Sequence, residues 1–160
     1  MRNLPERAFL HKLVIGFSIL NILNTSAYSW QKNCDIVGKN LGNVKAKSQE
    51  ECLTECNSRD ECQAGVYITG WKKCFLKSQA ERSVELTMKS GLKKGSIKNN
   101  SDFSGKDIKS VIKKTAEACQ KSCEQEELCQ AFTYIAGYDT CWHKKAEGRF
   151  YEKIFYCYKK

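Results

Sequence analysis

The chain has 160 residues, with 27 Lys and Arg against 18 Asp and Glu, a net charge of +9, ten Cys, two His and one Pro. That length allows one ordinary domain or two very small ones. A hydrophobic content of 41% excludes a disordered tail, and is too low and too scattered for a multi-span membrane protein. Ten cysteines in so short a chain point to disulfides outside the cell or to metal sites inside it.

Residues 1–29 read as a secretory signal. Arg2, Arg7 and Lys12 form a basic n-region, residues 13–23 (LVIGFSILNIL) an apolar core, and Thr25, Ser26, Ala27 and Ser29 a small-residue cleavage zone. A core of eleven residues is too short to cross a bilayer of about 30 Å, which needs roughly 20. Cleavage after Ala27 or Ser29 is expected. Loss of residues 1–29 lowers the net charge from +9 to +7 and leaves 131 residues, one histidine and all ten cysteines. The mature chain is expected to carry no transmembrane anchor. It is expected to be secreted, or stored in a secretory organelle, where thiols oxidise.

The remainder is a duplication. Shifted by 67 residues, Cys52, Cys56, Cys62 and Cys74 fall on Cys119, Cys123, Cys129 and Cys141 without a gap, so both copies read C-x3-C-x5-C-x11-C. Asp35, Gly38 and Lys39 fall on Asp102, Gly105 and Lys106; Gln63, Ala64, Tyr67 and Ile68 fall on Gln130, Ala131, Tyr134 and Ile135. This divides the mature chain into a first module at 30–94, a polar join at 95–100 and a second module at 101–160. Asn99-Asn100-Ser101, at the join, is an N-glycosylation sequon, making Asn99 a candidate acceptor.

In chain order, each copy predicts a helix followed by strands. Ser48 opens the first helix, with Glu51 completing a capping box. Thr115 takes the same place in the second copy. Helices are expected near 49–58 and 116–126. Cys52 and Cys56 are one turn apart, so both sulfurs leave one face. Strands are expected at 64–69, 73–77 and 84–88, and again at 131–136, 140–144 and 150–156. The turns Gly70-Trp71-Lys72 and Gly137-Tyr138-Asp139 suit hairpins. The fold class is α+β: small modules of about 60 residues, each an antiparallel sheet with one helix, too small to stand without covalent staples.

The cysteine motif, with the phrases CQAGVYITGWKKCFLKS and CQAFTYIAGYDTCWHKK, resembles the PAN/Apple module across nearly the whole mature chain. The resemblance implies disulfides Cys52–Cys74, Cys56–Cys62, Cys119–Cys141 and Cys123–Cys129. Each clip contributes roughly 2–3.5 kcal/mol in the chain-entropy model. A zinc site of four thiolates per copy is the competing use of these cysteines, but structural zinc sites usually show C-x2-4-C pairs, the second gap here is five, and the signal sequence argues for oxidation. Many modules of this family add a third disulfide between their first and last strands. Here Cys34 faces Ser90 at the expected partner position, and Cys157 faces Ser101. The two orphans suggest a Cys34–Cys157 bond within one chain. The alternatives are the same bond between two chains, giving a covalent homodimer, and two buried thiols.

The sequence offers no enzyme. His143 is the only mature histidine, no Gly-rich phosphate loop is present, and no pair of acids sits in a suggestive phrase. No cofactor and no metal are expected. The dispersed lysines read first as a solvated surface, and otherwise as a patch for sulfated or sialylated glycans or acidic partners. The secretory route disfavours nucleic acid.

Tyr67 and Tyr134, shared by the copies, read as core, and Trp142 aligns with Phe75 and reads likewise. Residues that differ between copies are better candidates for binding: Tyr138, Asp139, His143, Lys145, Tyr151 and Tyr156. Aromatic faces with charged neighbours are the groups that hold sugars. A small protein of two such modules resembles the microneme lectins of apicomplexan parasites. That resemblance implies a galactose- or N-acetylgalactosamine-type adhesin that engages host-type glycans or glycoproteins. The alternative is a module that docks proteins and has no sugar pocket.

Overall fold

A computed structural model describes residues 29–145 and 148–160. The expected signal sequence lies outside the described residues, except for Ser29. Among the described residues no helix is long and apolar enough to cross a membrane. The first copy contains β1 (Gln31–Lys32), β2 (Cys34–Val37), β3 (Asn40–Lys45), α1 (Gln49–Asn57), β4 (Ala64–Ile68), β5 (Lys73–Lys77), β6 (Arg82–Glu85) and β7 (Thr87–Leu92). The second repeats the order: β8 (Lys98–Asn99), β9 (Ser101–Phe103), β10 (Asp107–Ile112), α2 (Ala116–Glu124), β11 (Ala131–Ala136), β12 (Thr140–Lys144), β13 (Phe150–Glu152) and β14 (Phe155–Lys159).

Helix starts follow from their caps. The Ser48 hydroxyl accepts from the Glu51 amide at 3.3 Å, and the Glu51 carboxylate reaches back to the Lys47 amide at 2.7 Å. Thr115 accepts from the Ala118 amide at 3.1 Å. The hairpin turns are closed by Lys72 and Asp139, both in the left-handed region at φ 49° and 51°. The third expected strand of each copy is in fact two strands. Leu86 separates β6 from β7, and Lys153 and Ile154 separate β13 from β14. The strands preceding each helix have no alternating hydrophobic pattern (NLGNVK in β3), so periodicity does not reveal them.

Two five-stranded sheets form, with strand orders β1-β14-β4-β5-β3 and β10-β12-β11-β7-β8. Each is completed by the other copy's last strand. β4 pairs with β14, setting Val66 opposite Cys157, and β11 pairs with β7, setting Thr133 opposite Ser90. The short pairs β2–β6 and β9–β13 stay within their own copies. The boundary expected at residues 95–100 therefore describes covalent order, while hydrogen bonding crosses it in both directions. Below, the first module is the sheet under α1, with β14, and the second is the sheet under α2, with β7.

All ten cysteines are spent in five bonds: Cys52–Cys74, Cys56–Cys62, Cys119–Cys141, Cys123–Cys129 and Cys34–Cys157. The thiolate-zinc reading does not hold. Cys34–Cys157, with Cα atoms 5.6 Å apart, ties β2 to the exchanged β14 within one chain. At the equivalent place in the second module, the hydroxyls of Ser90 and Ser101 meet at 2.6 Å. The two orphan half-pairs are thus the two ends of one module-closing contact, made by a disulfide in one module and a hydrogen bond in the other.

Each helix clamps one face of its sheet over a buried cluster. Ala46, Tyr67, Leu76 and Tyr158 join the cysteines under α1; Ala116, Phe132 and Tyr134 do so under α2. Tyr67 and Tyr134 are buried as expected, and their hydroxyls donate to the Lys47 and Lys114 carbonyls at 2.7 and 2.8 Å. A third cluster draws on both copies. It joins Ile36, Val66, Ile68, Leu86, Met88 and Phe155, with Ile135 packed against it.

Candidate functional site

The face of the first sheet away from α1 is covered only in part, and a cleft of about 270 Å3 opens there. Strand alternation aims Val66, Ile68, Phe75 and Lys77 into it. Leu86 and Phe155, from the two crossing segments, line its floor. Trp71 and Tyr138, equivalent residues of the two hairpin turns, stand at its rim, 46% and 49% exposed. The Tyr138 hydroxyl donates to Asp35 Oδ2, a contact that joins the second copy to the first. Burial, then the Asp35 carboxylate, push the Tyr138 phenol well above its usual range, so it remains a donor.

Polar groups are few. Asp35 accepts from the Ile36 amide at 2.7 Å, and Lys77 Nζ lies 3.7 Å from its Oδ1. Asn40 completes the polar lining. The wall is thus aromatic and aliphatic, with one carboxylate, one ammonium and one amide, a set able to orient a ligand rich in hydroxyls.

The equivalent place in the second module is filled. Leu86 corresponds to Lys153, Val66 to Thr133 and Val84 to Tyr151. Lys153 is 1% exposed, its Nζ 2.6 Å from Asp102 Oδ2 and 3.6 Å from the centre of the Trp71 ring. Asp102 also accepts from Tyr151 at 2.5 Å, Thr133 at 2.7 Å and the Phe103 amide at 2.8 Å. Burial alone would raise the Asp102 carboxyl, but the donors from Lys153, Tyr151 and Thr133 hold it below its ordinary value. Lys144 bridges Asp107 at 2.5 Å and lies 3.9 Å from Asp102.

PAN domain family models match residues 31–98 and 101–144, one in each copy. The chain belongs to the PAN domain family. It is also similar to the solution structure of the two N-terminal apple domains of Toxoplasma gondii microneme protein 4. Identity is 19%, over 78% of this chain and 84% of that one, with a TM-score of 0.32, which says nothing about the site. Tandem PAN modules are binding modules, and the binding surface has to be found in this chain's own residues.

Of the residues singled out in the sequence, only Tyr138 lines the cleft of the PAN pair. Asp139 stands at the hairpin turn, paired with Lys114 at 2.5 Å. His143 is fully buried on β12, and among the described residues neither ring nitrogen has a hydrogen-bond partner. Burial, aided by Lys109, holds its imidazole below the ordinary value of 6.5. Lys145 is exposed beside β10, its amide bonded to the Lys106 carbonyl at 2.9 Å. Tyr151 is committed to Asp102, and Tyr156 packs against the α1 cluster. The candidates are thus dispersed over both modules. Trp142 is half-buried, like Phe75. Asn99 is exposed on β8, while the Ser101 hydroxyl of its sequon is engaged with Ser90 and the Lys98 carbonyl.

Asp35 and Lys77 escaped sequence reasoning for a definite reason. Asp35 and Lys77 recur as Asp102 and Lys144, so a search for differences between copies passes over them. The available signal was the difference at their neighbours: Leu86 against Lys153 and Asn40 against Asp107.

Proposed function

We propose that this PAN-domain protein is a secreted carbohydrate-binding adhesin whose saccharide site is the cleft of the first module. One observation carries the reading: a cleft of about 270 Å3 combines the aromatic surfaces of Trp71, Phe75 and Tyr138 with Asp35, Lys77 and Asn40. Aromatic faces pack on the C–H side of a sugar ring, and the polar groups bond its hydroxyls. The volume suits a mono- or disaccharide better than a drug-sized ligand, whose pockets span about 300–1,000 Å3. Galactose and N-acetylgalactosamine are the ligands to test first, presented on host-type glycans or glycoproteins. Five disulfides fit assembly in an oxidising compartment, which supports the secretory route. Recognition is favoured over catalysis, because His143 is buried away from the cleft.

The test is a glycan array with oxidised residues 30–160, followed by calorimetry. Saturable binding that a free monosaccharide competes, that survives high salt and that Asp35→Asn abolishes supports the reading. Binding only to sulfated glycans, lost in salt, would assign recognition to the lysine surface instead. The absence of any glycan binding would favour protein docking through the half-exposed Trp71 and Tyr138.

A further inference from the structure

The cleft has an equivalent in the second module, and comparing the two decides how many sites the chain offers. We infer that, of these two equivalent positions among the described residues, only the one in the first module is open, and that Lys153 is the residue that closes its counterpart. The inference rests on the proposed saccharide reading for the identity of its ligand, and on the structure alone for the closure.

A carboxylate offers about four acceptor positions. In the second module Asp102 has all of them filled: Oδ1 by the Phe103 amide and Thr133, Oδ2 by Tyr151 and Lys153. Its surroundings are closed, with Thr133 2%, Asp102 7% and Lys153 1% exposed. The Lys153 ammonium also lies over one face of the Trp71 ring, the hairpin aromatic that rims the first cleft.

In the first module the matching residues donate nothing. Leu86, Val66 and Val84 stand where Lys153, Thr133 and Tyr151 stand in the second. Asp35 is left with the Ile36 amide and the Tyr138 hydroxyl, with Lys77 further off at 3.7 Å. Acceptor capacity therefore remains where the cleft is open and is exhausted where it is shut. The occupant of the second module is part of the chain, so no free ligand competes with it.

Calorimetric titration of oxidised residues 30–160 with N-acetylgalactosamine is expected to give one site per chain. Leu86→Lys, which carries the plug into the first module opposite Asp35, is expected to weaken binding at least tenfold. Two sites per chain, or undiminished affinity in folded Leu86→Lys, would overturn the inference and leave the saccharide reading standing. A silent wild-type titration would instead count against the saccharide reading. The closure is then read without ligand, by acetylating native protein with an amine-reactive ester and mapping the lysines. Lys153 is expected to resist modification while Lys160 reacts. Equal reactivity at the two would overturn the closure.

Discussion

The exchanged strands make the Cys34–Cys157 bond the most informative place to perturb. Its cysteines are 123 residues apart, and two inner bonds, each spanning 22 residues, shorten the effective loop. Loop entropy varies only with the logarithm of length, so the closure still contributes about 4.5 kcal/mol in the chain-entropy model. Cys34→Ser with Cys157→Ser recreates the pair that the second module already uses, Ser90 against Ser101 at 2.6 Å. A hydrogen bond of that kind returns about 1 kcal/mol. Urea unfolding of residues 30–160, with the other four disulfides intact, is therefore expected to show a loss of about 3–4 kcal/mol. The variant should still fold with β14 in the first sheet, seen as slow amide exchange at Tyr156 and Tyr158. A loss below about 1 kcal/mol would refute the reasoning, because the bond would then not be restricting the unfolded chain. The converse change, Ser90→Cys with Ser101→Cys, should oxidise spontaneously. It closes a loop of about a dozen residues and, after loss of the Ser90–Ser101 hydrogen bond, should add about 2 kcal/mol.

His143→Leu installs the residue found at the equivalent position of the first copy, Leu76, and removes two buried nitrogens that have no partner among the described residues; thermal or urea unfolding should show a gain of about 1–3 kcal/mol. The same variant should flatten the acid side of the stability profile. With the folded-state value below 6.5, the unfolded chain binds the proton first, so wild-type stability falls as pH drops below about 6.5 until the folded value is reached. Asp102→Ala strands the buried Lys153 ammonium and should cost about 3–5 kcal/mol by urea denaturation. Because Asp102 is held below its ordinary 3.8, its contribution in the wild type is complete above that value and is lost as pH falls through the folded one. Gly65→Ala would place a Cβ 2.6 Å from the buried Tyr158 ring where β4 meets β14; a loss of about 1–3 kcal/mol is expected, and an unchanged unfolding midpoint would count against that packing.

Much of this molecule is legible in its residues. The duplicated cysteine spacing marks two modules. Ser48 and Thr115 mark the helix starts, and the apolar β-type runs at residues 64–68 and 131–136 mark the central strands. The orphan Cys34 and Cys157 even point at each other across the repeat. These features are local, or concern pairs whose chemistry identifies both partners. What the duplication hides is partner choice. β7 and β14 are equivalent segments, and β4 and β11 are equivalent acceptors, so every pairing of a last strand with a central strand satisfies the same local pattern. Only the path of the chain through Leu86 and Lys153, and the contacts made around them, select the exchanged arrangement. The cleft depends on that choice, because Phe155 and Tyr138 from the second copy meet Asp35, Phe75 and Lys77 from the first. A residue's chemistry is written in the chain, but the residue it will face after two near-identical sheets trade strands is decided by packing between segments far apart in sequence.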